Sequence, residues 1–352
     1  MRETTTVGLD LAKSVFQVSG RNAAQKATFN RQLKRKDVLA FFANLPPCLV
    51  GMEACASAHY WARELGRFGH TIRLMPPREV KAYLKRGKTD ANDADAICEA
   101  VSRLHVTEVP VKSEAQQCAL MLHKSREALL SQRNRASNMI RAHMAELGLI
   151  DDVGGEGFRR LLAIVNDAEH KVLPARARAA LKPLADYLAA LMVGIAALEA
   201  AIIAAHKQDK TSRRLETIPG VGLLGATAFS ASVTTPAAFK SARHFAASLG
   251  LTPRLDGTGG RVRLGSITKQ GNGYLRRLLY LGAVARLLHA RRRPDKADPW
   301  LLRLLAEKSF KVAAIAVANK TARAIWALLM RGGTYVANHQ PTAPAARALA
   351  RQ

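Results

Sequence analysis

Thr5-Thr-Val-Gly-Leu-Asp10, near the start of the chain, is a β-branched, apolar run that stops on an acid. β-Branched side chains are stiff at χ1 and suit a pleated, half-buried surface, so residues 5–9 predict a strand. Val15–Ser19 alternates as a second strand, and the apolar run Leu49–Met52 ends the same way, on Glu53. Ala58–Phe68 has helical spacing, Thr71–Leu74 is another short strand, and Pro76-Pro77 interrupts the chain. A helix begins after Thr89, whose hydroxyl suits an N-cap, with Asp90 in the first turn. Strands and helices alternating in this order predict an α/β layered domain over residues 1–110.

The acids then acquire a pattern. Asp10 and Glu53 each close a strand, and Asp90 and Asp93 stand three apart, on one face of a helix. Carboxylates at the C-terminal ends of neighbouring strands converge where α/β sheets place their sites. Four such groups repel one another unless a cation lies between them, and hard oxygen donors favour Mg²⁺ or Mn²⁺. Two such ions roughly 4 Å apart can clamp the entering and leaving oxygens of a phosphodiester. Taken singly each acid is equally a helix cap or a surface charge, which is the reading given to Asp95 and Glu99.

From Ser113 to Gly148 the chain carries no proline and no internal glycine, with apolar residues three and four apart, which predicts one long amphipathic helix. A glycine-rich turn (Gly154, Gly155, Gly157) leads to a second long helix over about 175–207. The pair predicts an antiparallel helical hairpin or coiled coil over 111–212, serving as a spacer or a dimerisation arm. Residues 213–335 read as a mostly helical unit: a turn at Ile218-Pro-Gly-Val-Gly222, a helix at Ser241–Leu249, a loop from Gly250 to Gly273, a basic helix from Tyr274 to about Arg293, and an apolar helix at Val312–Met330. Residues 336–352 form an Ala/Pro/Arg-rich tail. Gly220 and Gly222 would let backbone N–H groups approach a phosphate at a helix N-terminus, the logic of a helix-hairpin-helix grip; a plain interhelical turn competes with that reading.

The chain has 352 residues and a formal charge of +27. Residues 215–352 hold 21 basic against 5 acidic groups, so most of the excess lies at the C-terminal end, where the field attracts a polyanion such as nucleic acid. A hydrophobic content of 48% excludes a wholly disordered chain, and aromatics at 5% argue against a stacking platform for single strands. No stretch of 18 uninterrupted apolar residues occurs; Leu188–Ala205 contains Glu199 and reads as a packed helix, and no membrane association is expected. Cys48, Cys55, Cys98 and Cys118 show no zinc spacing and read as reduced thiols of a cytoplasmic protein.

Gly8-Leu-Asp10-Leu-Ala-Lys13, Gly51-Met-Glu53-Ala and Lys88-Thr-Asp90-Ala-Asn-Asp93-Ala together resemble the RuvC-like (RNase H-like) N-terminal domain of DEDD transposases of the Piv/MooV-like insertion-sequence family, the bridge-RNA-guided recombinases. Ile218–Gly222, Ala246-Ala-Ser-Leu-Gly-Leu-Thr-Pro-Arg254, Gly259-Gly260, Arg263-Leu-Gly265, Lys269-Gln-Gly271 and Tyr274-Leu-Arg-Arg277 resemble that family's C-terminal transposase domain, in the same order. The resemblance implies a nucleoid-associated bacterial recombinase in which Asp10, Glu53, Asp90 and Asp93 bind Mg²⁺ and a serine in the second domain breaks the strand. That serine's place falls on Thr258, a departure from the family pattern, with Ser266 as the fallback. Arg254, Arg261, Arg263, Lys269, Arg276 and Arg277 surround this position and are candidates to hold phosphates, as are Gly220 and Gly222. The resemblance further implies a structured noncoding guide RNA that pairs with target and donor DNA. Cutting and rejoining four strands implies a homodimer pairing into a tetramer, with one subunit's acids completed by another's nucleophile loop. Two other readings stay open: a RuvC-type junction nuclease with no covalent intermediate, and a nucleic-acid-binding scaffold without catalysis.

Overall fold

A computed structural model of the protein describes residues 3–336 apart from 85, 86, 88, 104, 259 and 260; the side chains of Thr258, Arg261 and Val262 also lie outside the described residues. The chain divides into two compact units, residues 1–117 and 118–352.

The first unit is α/β, as its opening run predicts. Strands β1 (Thr4–Asp10), β2 (Val15–Asn22) and β3 (Ala27–Lys34) form an antiparallel meander; a helix α1 (Val38–Ala43) follows. β4 (Leu49–Glu53) then pairs parallel to β1, and after α2 (Ala58–Gly66) the strand β5 (Thr71–Met75) pairs parallel to β4. The sheet order is β3-β2-β1-β4-β5. A short helix α3 (Pro77–Val80) and α4 (Asp90–Val101) complete the unit. Val7, Leu9, Phe16, Val18, Val50, Met52, Trp61 and Leu65 are buried in one cluster, so the strands are apolar because both sheet faces are covered around β1 and β4. β3 and α1 are additions to the sequence reading. β3 is polar and mostly exposed, with Phe29 and Leu33 alone packed on the core, and its Arg31 and Lys34 suit an edge strand.

α5 (Glu114–Ala145), in the second unit from Cys118 onward, and α7 (Ala175–Gln208) run antiparallel. Arg126 donates to Glu199 at 2.6–2.8 Å, Leu129 lies beside Gly194, and the Tyr187 hydroxyl donates to Gln132 at 2.8 Å, so partners descend on one helix as they ascend on the other. The glycine-rich segment between them is itself the start of a helix, α6 (Gly155–Asn166), whose Leu161 and Val165 join Ile140, Met144, Leu173 and Leu181 in a separate apolar cluster. The helix expected at 188–205 lies within α7 and packs along one face. α7 buries the stripe Leu188, Leu191, Ile195 and Ile202, but Met192 is 49% and Val193 72% exposed. By length and composition alone, α7 and α13 (below) are each apolar enough to cross a membrane.

Beyond the arm follow α8 (Lys210–Glu216), α9 (Leu223–Ser232), α10 (Ala242–Ser248), a two-stranded antiparallel hairpin of β6 (Pro253–Thr258) and β7 (Arg261–Ile267), α11 (Gly273–Arg292), α12 (Pro299–Glu307) and α13 (Phe310–Arg331). Leu215, Ala226, Phe229, Phe245, Leu279, Ala314, Val317 and Ile325 share its core. Within the expected loop at 250–273, residues 253–258 and 261–267 thus pair as antiparallel strands. These strands are short and glycine-bearing, and the facing Leu255 and Leu264 are 71% and 70% exposed, so no apolar-in, polar-out alternation marks them. Residues 337–352, most of the expected tail, lie outside the described residues.

Candidate active site

Asp10 is the last residue of β1, where the strand's apolar run ends and the sheet meets solvent. The neighbouring parallel strand β4 ends close by in register, at Glu53. α4 brings the remaining acids. Its N-cap is Thr89, whose hydroxyl accepts from the Asn92 N–H at 3.2 Å, so the helix begins at the residue the sequence indicates and Asp90 and Asp93 occupy its first turn. α4 lies across β1 with almost no clearance at Gly8, which has no side chain to hold the helix away. The result is that Asp10, Asp90 and Asp93 each offer a carboxylate oxygen within 4.8 Å of the others. Glu53 lines the same cleft, a space of about 460 Å³ whose walls include Asp10, Asp93, Val80, Lys81 and Ile97.

The electrostatics show the strain of this gathering. Burial raises the Asp10 carboxyl to a pKa of about 6, and the charges of Asp93, Glu53 and Asp90 push the same way. Glu53 is raised as well, by burial first and then by Asp93, with Lys81 opposing. Like charges this close favour protonation unless a cation neutralises them. The donor set is all carboxylate oxygen, which fits Mg²⁺ or Mn²⁺ and not a thiolate- or imidazole-loving metal. Asp95 and Glu99, further along α4, belong to a different group: Asp95 pairs with Arg21 at 2.6 Å, and Glu99 pairs with Arg103 at 2.9 Å. Lys81 is a cleft residue that sequence reasoning missed, because nothing sets it apart from the neighbouring basic residues Arg78, Lys85, Arg86 and Lys88.

In the second unit, Thr258 ends β6 directly opposite Arg261 in register, and Asp256 lies opposite Arg263. The Thr258 hydroxyl and the Arg261 side chain are outside the described residues, so the candidate nucleophile is placed by its backbone, at the tip of the hairpin. Arg254 and Arg263 are exposed on the two strands, and Lys269 is exposed just beyond β7 with φ 55°. Arg276 and Arg277 are engaged elsewhere. Arg276 donates to the carbonyls of Leu249 and Gln270 at 3.0 and 2.7 Å, tying the foot of the hairpin to α11. Arg277 pairs with Glu127 of α5 and lies over the Tyr274 ring.

The Ile218–Gly222 turn joins α8 to α9, with Gly222 at the N-cap of α9 and open space beside it. Gly220 has φ 84°, and its carbonyl oxygen would stand 1.9 Å from a Cβ on Gly282. Close approach at this glycine is therefore to α11, inside the protein; Gly222 alone keeps the open N–H position expected of a phosphate grip.

These features define a class of protein: a cluster of carboxylates at the edge of an α/β sheet, in one chain with a strongly basic helical unit. Comparison with known proteins narrows it. Residues 7–148 match a DEDD-type IS110 transposase family, and residues 212–298 match the "Transposase IS116/IS110/IS902 family". A "Probable family 20 transposase" of Pseudomonas aeruginosa is 46% identical over 94% of this chain and 98% of its own length. The "Transposase for insertion sequence element IS1111A" of Coxiella burnetii is 36% identical over 95% and 92%, and that for IS1328 of Yersinia enterocolitica 33% over 95% and 99%. The chain belongs to the IS110/IS116 family of insertion-sequence transposases, enzymes of DNA recombination.

Proposed function

We propose that this transposase cuts and rejoins DNA through a protein–DNA ester formed by Thr258, assisted by Mg²⁺ held on Asp10, Glu53, Asp90 and Asp93. The observation that carries the reading is the convergence of three aspartate oxygens within 4.8 Å in the cleft that Glu53 also lines. The strand order β3-β2-β1-β4-β5, with the acids at the ends of β1 and β4, supports a RuvC-like domain. Bound there, the cation would supply electrostatic stabilisation of charge developing on a phosphodiester.

The chain's own groups would do the rest. The Thr258 oxygen bonds to phosphorus as the bond from phosphorus to the leaving strand end breaks; the threonine proton is lost and the departing oxygen gains one. The reverse attack by a new strand end restores the hydroxyl, so rejoining needs no external energy source. Exposed Arg254 and Arg263 stand on the hairpin's two strands and would hold phosphates during the exchange. Sequence choice would fall to a structured noncoding RNA pairing with donor and target DNA, for which the basic C-terminal half supplies attraction. A second copy covering the exposed Met192–Val193 face of α7 would give the homodimer, and pairing of dimers the tetramer that four strands require. A metal-only junction nuclease is the competing reading, favoured by the fact that the acidic cluster is assembled entirely within the first unit.

Mg²⁺-dependent cleavage of DNA carrying the element's ends tests the proposal. Asp93→Asn, isosteric but neutral, should abolish cleavage while the protein stays folded. Full activity of that variant would remove the metal site from the account.

A further inference from the structure

We infer that a second phosphate-binding site lies on the helical unit, between α8 and the chain leaving α13, and that it grips a nucleic-acid backbone away from the hairpin. Lys210, Arg213 and Arg214 of α8, with Thr217, line a concavity of about 340 Å³ whose far wall is Gly333-Thr334. The inference rests on the nucleic-acid reading of the protein above, but on none of its catalytic residues.

Three observations make this a built site and not a chance cluster of cations. The first is charge without compensation: among the described residues no carboxylate pairs with Lys210, Arg213 or Arg214. The nearest acids in sequence are already used. Asp209 caps α8 by accepting from the N–H groups of Thr211 and Ser212 and also takes the Ser230 hydroxyl at 2.5 Å, while Glu216 lies 2.9 Å from Nε2 of His206. Three like charges around one concavity repel, and an anion relieves that cost.

The second observation is that the scaffold under the cations is fixed. His206, buried at the end of α7, holds the Ser212 hydroxyl at Nδ1 (2.8 Å) and Glu216 at Nε2. Ser212 is fully buried, so this Ser–His–Glu row has no access to a substrate; it locks α8 to α7 at both ends of the short helix. The third is the wall. Gly332 and Gly333 follow α13 in succession at φ 73° and 81°, a backbone that turns the chain back over Arg214, and the Tyr335 N–H donates to the Thr217 hydroxyl at 2.9 Å to hold it there. A Cβ on Gly332, one residue before that wall, would lie 3.6 Å from the Arg214 guanidinium, so the turn passes beside this cation. The planar guanidinium fork matches phosphate geometry, and with no aromatic ring in the described lining the ligand this concavity suits is a phosphodiester oxygen.

The test is equilibrium binding of the full chain to a duplex DNA about 30 base pairs long and to an RNA hairpin, by fluorescence anisotropy from about 50 to 300 mM salt. Arg213→Gln/Arg214→Gln should weaken binding about tenfold at roughly 150 mM and lower the log–log salt slope on duplex DNA by roughly 1, one phosphate contact's worth. Arg159→Gln/Lys182→Gln removes the same charge from cations already paired with Glu156 and Asp186. It should leave both quantities nearly unchanged. Loss on DNA alone assigns the site to DNA, and loss on both assigns it to any backbone phosphate. Wild-type affinity and slope in the α8 variant, or an equal loss in the control, overturns the site. Absence of binding by the wild-type chain overturns the nucleic-acid reading itself. Unchanged circular dichroism and melting of both variants confirm that folding is not what changed.

Discussion

Gly8 of β1 and Ala94 of α4 are in such close approach that a Cβ on the glycine would stand 2.2 Å from the Ala94 carbonyl oxygen, and 2.4 Å from the Cys98 amide nitrogen. The acidic cluster depends on this relationship. Two residues after Gly8 comes Asp10, and one before Ala94 comes Asp93, so the contact that seats the helix on the strand also sets the carboxylates together. Gly8→Ala must push α4 off the sheet, since both obstructing atoms are backbone. Overpacking of this kind costs about 1–3 kcal/mol. Thermal melting of the variant should fall accordingly, and the Mg²⁺-induced rise in melting temperature should shrink more than the melting temperature itself.

Protonation of Asp10 links this site to pH. Its folded pKa of about 6 lies above the ordinary value of 3.8, so the folded state binds the proton more tightly than the unfolded chain. Its contribution to stability is therefore full below about pH 4 and is lost as pH rises through about 6. Without metal, the melting temperature of wild-type protein should decline over that window, and Asp10→Asn should flatten the decline. Mg²⁺ held as proposed would compete with the proton for the same oxygens, so its stabilising shift should be large at about pH 8 and small at about pH 5.

His123 titrates with the opposite sign in the second unit. It is 2% exposed, its Nδ1 lies 2.8 Å from the Tyr274 hydroxyl, and burial, seconded by Arg126, lowers its pKa from 6.5 to about 4. The unfolded chain binds the proton more readily, so this residue's share of stability is lost as pH falls from about 6.5 through 4. Tyr274→Phe leaves the buried imidazole without its partner and should cost about 1–3 kcal/mol, read as a lowered denaturation midpoint at about pH 7.5.

The two kinds of site residue are legible in the sequence to different degrees. Strand-ending acids and a threonine cap are local signals, so Asp10, Glu53, Asp90 and Asp93 stand out from their neighbours in the chain alone, and the fold brings them to one cleft. Their distances do not, because they depend on the Gly8–Ala94 contact between segments more than 80 residues apart. The hairpin at 253–267 is hidden for another reason: an exposed ribbon lacks the buried face that gives a strand its period. Gly220 carries a misleading signal. Its positive φ and missing side chain serve packing on Gly282, and sequence alone gives the same residue to a packed turn or to a phosphate grip. Arg276 and Arg277 are similarly ambiguous without their partners, the Leu249 and Gln270 carbonyls and Glu127, which lie far from them in the chain or across a turn.

Assembly of the acting complex is open to a mixing experiment. Asp10→Ala and Thr258→Ala chains should each be inactive alone, and their mixture should recover part of the wild-type recombination if acids and nucleophile act from different subunits. Absence of any recovery, with both chains folded, would assign the site to a single chain.

The most direct measurement is capture of the DNA ester. Wild-type protein incubated with Mg²⁺ and end-labelled donor DNA, then denatured, should retain label on the polypeptide, with mass spectrometry placing the phosphate on Thr258. Reacting atoms must come within about 3–3.5 Å in line, and the threonine methyl hinders that approach, so Thr258→Ser should keep or raise the yield. Thr258→Ala should give no ester while still binding DNA, and Ser266→Ala should behave as wild type. An ester that survives Thr258→Ala and disappears in Ser266→Ala would transfer the nucleophile to Ser266. Mg²⁺-dependent cleavage with no ester in any variant would contradict covalent exchange and leave a metal-only nuclease.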